Sequence, residues 1–245
     1  MLNIEITENG TGIYISGDYE DLFALREAVS SLAGDKTSYE GYEEVHSIVQ
    51  HFAFELLHAY RAERDVYKTN CDTPCYKFPI MFPEAFFVAD ALNDYIILSE
   101  SSQYYVDKME EKNSSVAQKI KEKKYINKAY IRFFQASVYD AIRRYIGEEE
   151  FEKIEYLTNS EKICSEGNLR YKDFCKDWAD ILNIRYINDG AGSGMLVEAI
   201  KKLAVRDEEY ISKERAMKEH SKDGNISLFF GILEEVQYPD EWEWQ

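Results

Sequence analysis

PEAFFVADALNDYIIL, residues 83–98, is the stretch on which the fold turns. Pro83 suits a first helical turn, where the backbone nitrogen has no intrahelical acceptor to lose. From there Phe86, Phe87, Val88, Ala91, Leu92, Tyr95 and Ile96 cover almost the whole circumference of a helix. A helix that is apolar all round is a buried one, so the spacing predicts a central helix from Pro83 to about Leu98. Asp90, Asn93 and Asp94 form its only polar stripe. A carboxylate buried without partners costs several kcal/mol, so Asp90 needs a cation, a helix end or water. Arg61 and Arg64 are the expected cations.

The stretch just before it, CDTPCYKFPIMFPE (71–84), carries two of the four cysteines and three of the four prolines. Cys71 and Cys75 are spaced like half of a zinc site, but Cys164 and Cys175 are too far apart to complete it. Without an oxidising compartment a disulfide is disfavoured. The prolines bar a helix and stiffen the chain, so this segment is expected to be a rigid connector.

Upstream, Leu2, Ile4 and Ile6 alternate with polar residues. Asn9-Gly10 supplies a turn, and Ile13 and Ile15 return on one face, which predicts a β-hairpin. Asp18, followed three residues later by Asp21, caps a helix that Gly34 ends. A second helix, about Tyr42 to Arg64, buries Val45, Ile48, Val49, Phe52, Leu56 and Tyr60. At 100° per residue His51, Glu55 and His58 share one narrow face of it. A Glu-x-x-His unit facing carboxylates on another helix is how di-iron bundles hold metal, but such bundles carry the unit on two helices. The third helix has no histidine. The solvated side of an amphipathic helix explains the same residues.

Downstream, Ser101 to Lys124 is polar and lysine-rich, partly helical, and holds the best candidate domain boundary (99–124). A long helix is expected from Tyr125 to Ile146, with Ile126, Tyr130, Phe133, Phe134, Ile142 and Tyr145 as its core face. Further helices are predicted around GEEEFEKIEYL, over Leu169–Leu182 and over Met195–Met217. Arg185–Ile187 reads as a short strand and Ile226–Val236 as a final strand or helix. Gly190, Gly192 and Gly194 precede a helix, but their spacing is not that of a nucleotide-binding loop. The chain is thus read as mostly α (α+β): one helical domain over 1–245 with a small N-terminal β-hairpin or sheet.

Net charge is −17 over 245 residues, which disfavours nucleic acid and membranes and favours a basic partner. Residues 107–144 oppose that trend with 10 basic and 5 acidic groups. No apolar run approaches the roughly 20 residues that span a bilayer, and the N-terminus has no signal pattern, so a soluble cytoplasmic protein is expected.

ISGDYEDLFALREAV (15–29), LLHAYRAERDV (56–66) and MFPEAFFVADALNDYI (81–96) resemble an uncharacterised family of small bacterial proteins. The resemblance covers roughly the first hundred residues. It implies a hairpin followed by helices in a bacterial, intracellular protein, brings no known activity, and singles out Glu84, Asn93 and Asp94.

The leading functional expectation is a non-enzymatic acidic interaction protein, immunity- or antitoxin-like or an accessory subunit, that needs no cofactor and binds a basic protein. Its docking segment would be YPDEWEWQ, with Trp242 and Trp244 among Glu241 and Glu243. The alternative is a metal-dependent helical enzyme using His51, Glu55 and His58 with Asp90 or Asp94. A third reading is nucleic-acid binding through 119–144, with Lys121, Lys123, Lys124 and Lys128 as a weak anion site. That island also suits a homo-oligomer, docked on the acidic surface of a second copy.

Overall fold

A computed structural model describes residues 2–68, 73–109, 114–159 and 169–223, with the backbone alone at 101–109, 114–118, 120–121 and 217–223. The chain is mostly helical, with a small antiparallel sheet at its N-terminus. β1 (Asn3–Ile6) and β2 (Gly12–Gly17) form the expected hairpin, with Ile4 opposite Ile15 and Ile6 opposite Ile13. Gly10 takes φ +67° in the turn, the left-handed region that glycine enters freely. Thr7 accepts the Gly12 N–H on its hydroxyl at 3.0 Å and closes the turn.

The stretch expected as a rigid connector instead supplies β4 (Pro74–Met81), which lies between β2 and β3 (Asp65–Lys68) in the order β1-β2-β4-β3. Ile80 faces Ile13 and Phe78 faces Ile15, extending the hairpin's apolar rows. The prolines are placed where a strand tolerates them. Pro74 is the first residue, and Pro79 lies past Lys77, where the pairing with β3 ends. Cys71 falls outside the described residues, and Cys75 is free and half-buried.

α1 (Tyr19–Ala33) begins with a reciprocal capping box. The Asp18 carboxylate accepts the Asp21 N–H at 2.9 Å, and Asp21 accepts the Asp18 N–H at 3.2 Å. α2 (Glu43–His58) buries Val45, Ile48, Val49, Phe52, Ala53 and Leu56. It does not run on to Arg64 as a regular helix. A π-helical turn (Ala59–Glu63) intervenes, with Ala62 at φ +62°.

α3 (Phe82–Met109) follows β4 directly and is longer than predicted. Every residue from Ala85 to Ile96 is buried. Around it stand α1, α2 and α4 (Ser114–Ile146), together with α7 (Lys176–Asn188), α8 (Ser193–Ala204) and the inner strands. Phe87 of α3 sits 4.7 Å from the Tyr171 ring and 4.9 Å from Phe174, fixing the segment that leads into α7.

Three further expectations are corrected. Arg185–Ile187 is not a strand but part of α7. The helix expected over 195–217 is two, α8 and α9 (Glu208–Asp223), because Val205 turns extended and Asp207 accepts the Tyr210 N–H at 2.8 Å. On α4, Phe134 and Ile142 are core, but Ile126 is 56 %, Phe133 43 % and Tyr130 39 % exposed. Two short helices, α5 (Glu148–Glu152) and α6 (Glu155–Thr158), follow α4. Residues 226–236 lie outside the described residues.

The hairpin turn packs against α4 and α7. Tyr186 donates its hydroxyl to Gly10 O at 2.5 Å, and the Tyr145 ring fills the space where a Gly10 side chain would stand. Gly10→Ala combines a left-handed backbone with this clash. It is expected to cost about 1–3 kcal/mol, read as a lower urea midpoint at unchanged slope; a midpoint within error of the parent would contradict it.

Candidate functional site

Two polar clusters flank the central helix. The first lies inside. Asp90 is 1 % exposed, and Asn93 and Asp94 are 0 %. Asp90 does not meet Arg61 or Arg64. Its cation is Arg170, eighty residues on, whose guanidinium donates to Oδ2 and also to Leu157 O at 3.1 Å. Tyr171 adds its hydroxyl at 2.7 Å, and Asn93 donates to Oδ1 at 3.2 Å.

Asp94 accepts the backbone amides of Arg170 (2.8 Å) and Tyr171 (2.7 Å) and the Tyr42 hydroxyl (2.8 Å). Asn93 Oδ1 accepts from Arg132 at 2.6 Å and from Gln135 at 3.1 Å, which ties α4 to α3. Burial pushes the Asp90 carboxyl above its usual range, against the pull of Arg170 and Tyr171. Asp94 is raised to about 6, again by burial, against the amides that favour its charged form. Every oxygen of the two aspartates is used within the chain. The cluster is a structural tie, and substrate has no route to it through these bonds.

The second cluster is a cleft of about 420 Å³ lined by His51, Phe52, Glu55, Arg64, Phe78, Pro79, Ile80, Met81 and Glu84. Its shape depends on the π turn after α2. With Ala62 left-handed, the chain doubles back and lays Arg64 along Glu55 in a two-bond pair, Nε and Nη2 each 2.9 Å from a carboxylate oxygen. Arg64 holds the Glu55 carboxyl below its usual range despite partial burial. His58 turns away to Glu63, 2.5 Å off, and His51 is exposed at the rim.

Glu84, in the first turn of α3, is half-buried and makes no hydrogen bond or ion pair among the described residues. Burial first, then the charges of Asp180 and Glu55, push its carboxyl up to about 7, while Lys176 opposes them. Near neutral pH it is an acid poised to gain or lose a proton.

His51, Glu55 and His58 all lie on α2, but the fold does not bring them to Asp90 and Asp94, which point into the buried network. Among the described residues no group of three His, Cys, Asp or Glu is placed to hold a metal. On the basic segment Lys119 and Lys123 are exposed; Lys124 reaches Ser99 O at 3.4 Å and Lys128 pairs with Glu100 at 2.6 Å. The Lys121 side chain, and Glu241, Trp242, Glu243 and Trp244, lie outside the described residues. In the glycine loop, Ala191 O accepts the Tyr145 and Tyr186 hydroxyls, so that loop is packed onto neighbours. No helix among the described residues is long and apolar enough to cross a membrane.

Sequence reasoning missed the cleft and the role of Arg170. Glu84, among apolar neighbours, was the one signal available for the first; nothing local marks the second.

Two outcomes follow from this geometry. Asp94→Ala strands two buried amides and the Tyr42 hydroxyl, so it is expected to destabilise the fold by about 3–5 kcal/mol in urea unfolding; a loss under 1 kcal/mol would refute the tie. Glu84 titrates at about 7 when folded, against an ordinary 4.5. Its protonated form therefore favours the fold, fully below the lower value, and that contribution is lost as pH rises through the upper one. Glu84→Gln, always neutral, is expected to be about 1–3 kcal/mol more stable than the parent at pH 8 and equal to it at pH 4. A gap that does not change with pH would count against the shifted acid.

Comparison with curated proteins and with solved structures gives no match. A family model does match, described as "Domain of unknown function (DUF6904)", over residues 2–244. That match runs well beyond the first hundred residues that carry the resemblance in sequence. Covering nearly the whole chain, it shows that this protein belongs to the DUF6904 family, an uncharacterised one.

Proposed function

We propose that this chain is a non-enzymatic acidic interaction protein, of immunity-like, antitoxin-like or accessory-subunit kind, that binds a basic protein partner in the cytoplasm. One observation carries the reading. Across α5 and α6, Phe151, Ile154 and Leu157 anchor a ridge in the core and present Glu149, Glu152 and Glu155 to solvent beside Tyr156, which is 59 % exposed. Glu148 and Glu150 are engaged by Arg143 (3.8 Å) and Lys153 (2.5 Å), whereas those three carboxylates have no ion pair among the described residues. An exposed aromatic beside carboxylates that form no ion pair among the described residues suits a lysine- or arginine-rich surface, and the net charge of −17 steers such a partner in. Trp242 and Trp244 beside Glu241 and Glu243 repeat that composition.

A second reading, an anionic nucleic-acid strand on α4, is favoured by the exposure of Ile126, Tyr130 and Phe133 next to Lys119 and Lys123. Aromatics and lysines on one helix face are what single strands stack on.

Affinity capture from the source cell, followed by calorimetry with the purified partner, separates the two. The expected partner is a basic protein whose binding weakens at least tenfold with Glu149→Lys/Glu152→Lys/Tyr156→Ala and is unchanged by Lys119→Ala/Lys123→Ala. Recovery of nucleic acid instead, with binding that falls steeply with salt and needs the lysines, would reverse the ranking.

A further inference from the structure

The cleft beneath α2 lies apart from the α5–α6 ridge, and its charges do not cancel. Arg64 is occupied by Glu55 through both nitrogens. Lys176, at the start of α7, is occupied by Asp180. When Glu84 is ionised the group Glu55, Arg64, Glu84, Asp180 and Lys176 holds one negative charge in excess, and Glu84 carries it without a bonded partner. The walls beside it, Phe52, Phe78, Pro79, Ile80 and Met81, are apolar.

We propose that this cleft binds an organic cation, an ammonium or amidinium group on a hydrocarbon body, with the charged end on Glu84 and the body against Phe78, Ile80 and Met81. Among the described residues an anion finds no free cation there, because Arg64 and Lys176 are both paired. A bare metal ion finds one free carboxylate and the rim imidazole of His51, fewer than the three protein ligands of an open metal site. At about 420 Å³ the space lies within the range of small-molecule sites. Binding a cation to Glu84 expels its proton, so occupancy and protonation oppose each other.

The groups facing Glu84 are His51 and Glu55 on α2, Arg64 after the π turn, and Lys176 and Asp180 on α7. Histidine as a residue type can change charge in the same pH range, so the test must separate His51 from Glu84. This inference needs no protein partner, and its outcome leaves the proposed function standing or falling on its own experiment.

The probes are n-pentylamine and benzamidine, both protonated from pH 6 to 8, with n-pentanol as the uncharged control, titrated into the full chain by calorimetry or by shifts of the Met81 methyl resonance. The two cations are expected to bind at least tenfold more tightly than pentanol at pH 8. Their affinity is expected to fall about tenfold at pH 6, because a carboxyl titrating at about 7 is then mostly protonated. Glu84→Gln, which removes a charge the fold disfavours and so is expected to fold, should weaken the cations at least tenfold and leave pentanol unchanged. His51→Ala should keep the pH profile. Equal binding of amine and alcohol, no binding of either cation at millimolar concentration, cation affinity unchanged in Glu84→Gln, or a pH profile that disappears in His51→Ala would each overturn the proposal.

Discussion

Two carboxylates carried into the core on α3 decide how the rest of the chain must be arranged. Asp90 and Asp94 lie on the part of α3, residues 85–96, that is buried on all sides, where an unpaired charge is not tolerated. Their needs, and that of Asn93 beside them, are met by three distant parts of the chain: Tyr42 before α2 for Asp94, the α4 side chains for Asn93, and Arg170 and Tyr171, whose side chains answer Asp90 and whose backbone amides answer Asp94. The last contact works in both directions. A segment with no regular structure would leave its amides unsatisfied, and Asp94 supplies the acceptors that helix or sheet would otherwise provide. The buried acids thus fasten the second half of the molecule onto the first, and the aromatic contacts of Phe87 with Tyr171 and Phe174 close the same junction.

The contrast with Glu84 is instructive, since it sits on the same helix only six residues before Asp90. Where Asp90 has a guanidinium, a phenol and an amide, Glu84 faces a cleft whose cations are already paired. The difference comes from the neighbours rather than from the helix. Asp90 looks toward Arg170 and Tyr171, with Leu157 O sharing the Arg170 guanidinium, whereas Glu84 looks toward α2 at the point where a left-handed Ala62 pulls Arg64 onto Glu55. One carboxylate is structural and the other is available to a ligand.

Where the surface is concerned, the molecule keeps its apolar anchors and its charges on opposite sides of short elements. In α5 and α6 every third residue (Phe151, Ile154, Leu157) is buried, and the intervening glutamates face water. On α4 the division is less complete. Phe134, Val138 and Ile142 are wholly buried, while Ile126, Tyr130 and Phe133 lie on another face of the helix and stay exposed, interleaved with buried Asn127 and Ile131.

What the sequence determined by itself is what a few adjacent residues can encode. The alternation of Ile4, Ile13 and Ile15 around Asn9-Gly10 specified the hairpin, the Asp18–Asp21 pair specified the start of α1, and the apolar surface of 85–96, broken only by the stripe of Asp90, Asn93 and Asp94, specified a central helix. Local rules also misled where they were obeyed without local consequence. Prolines at 74 and 79 argue against a strand until β2 and the short reach of β3 are known. Only the tertiary structure decided that Arg170 would answer Asp90, that a π turn would bend Arg64 onto Glu55, and that half of an apolar stripe on α4 would remain uncovered. Periodicity states which face of an element is apolar or charged; which distant segment meets that face depends on how all the elements pack at once, and no local pattern carries that information.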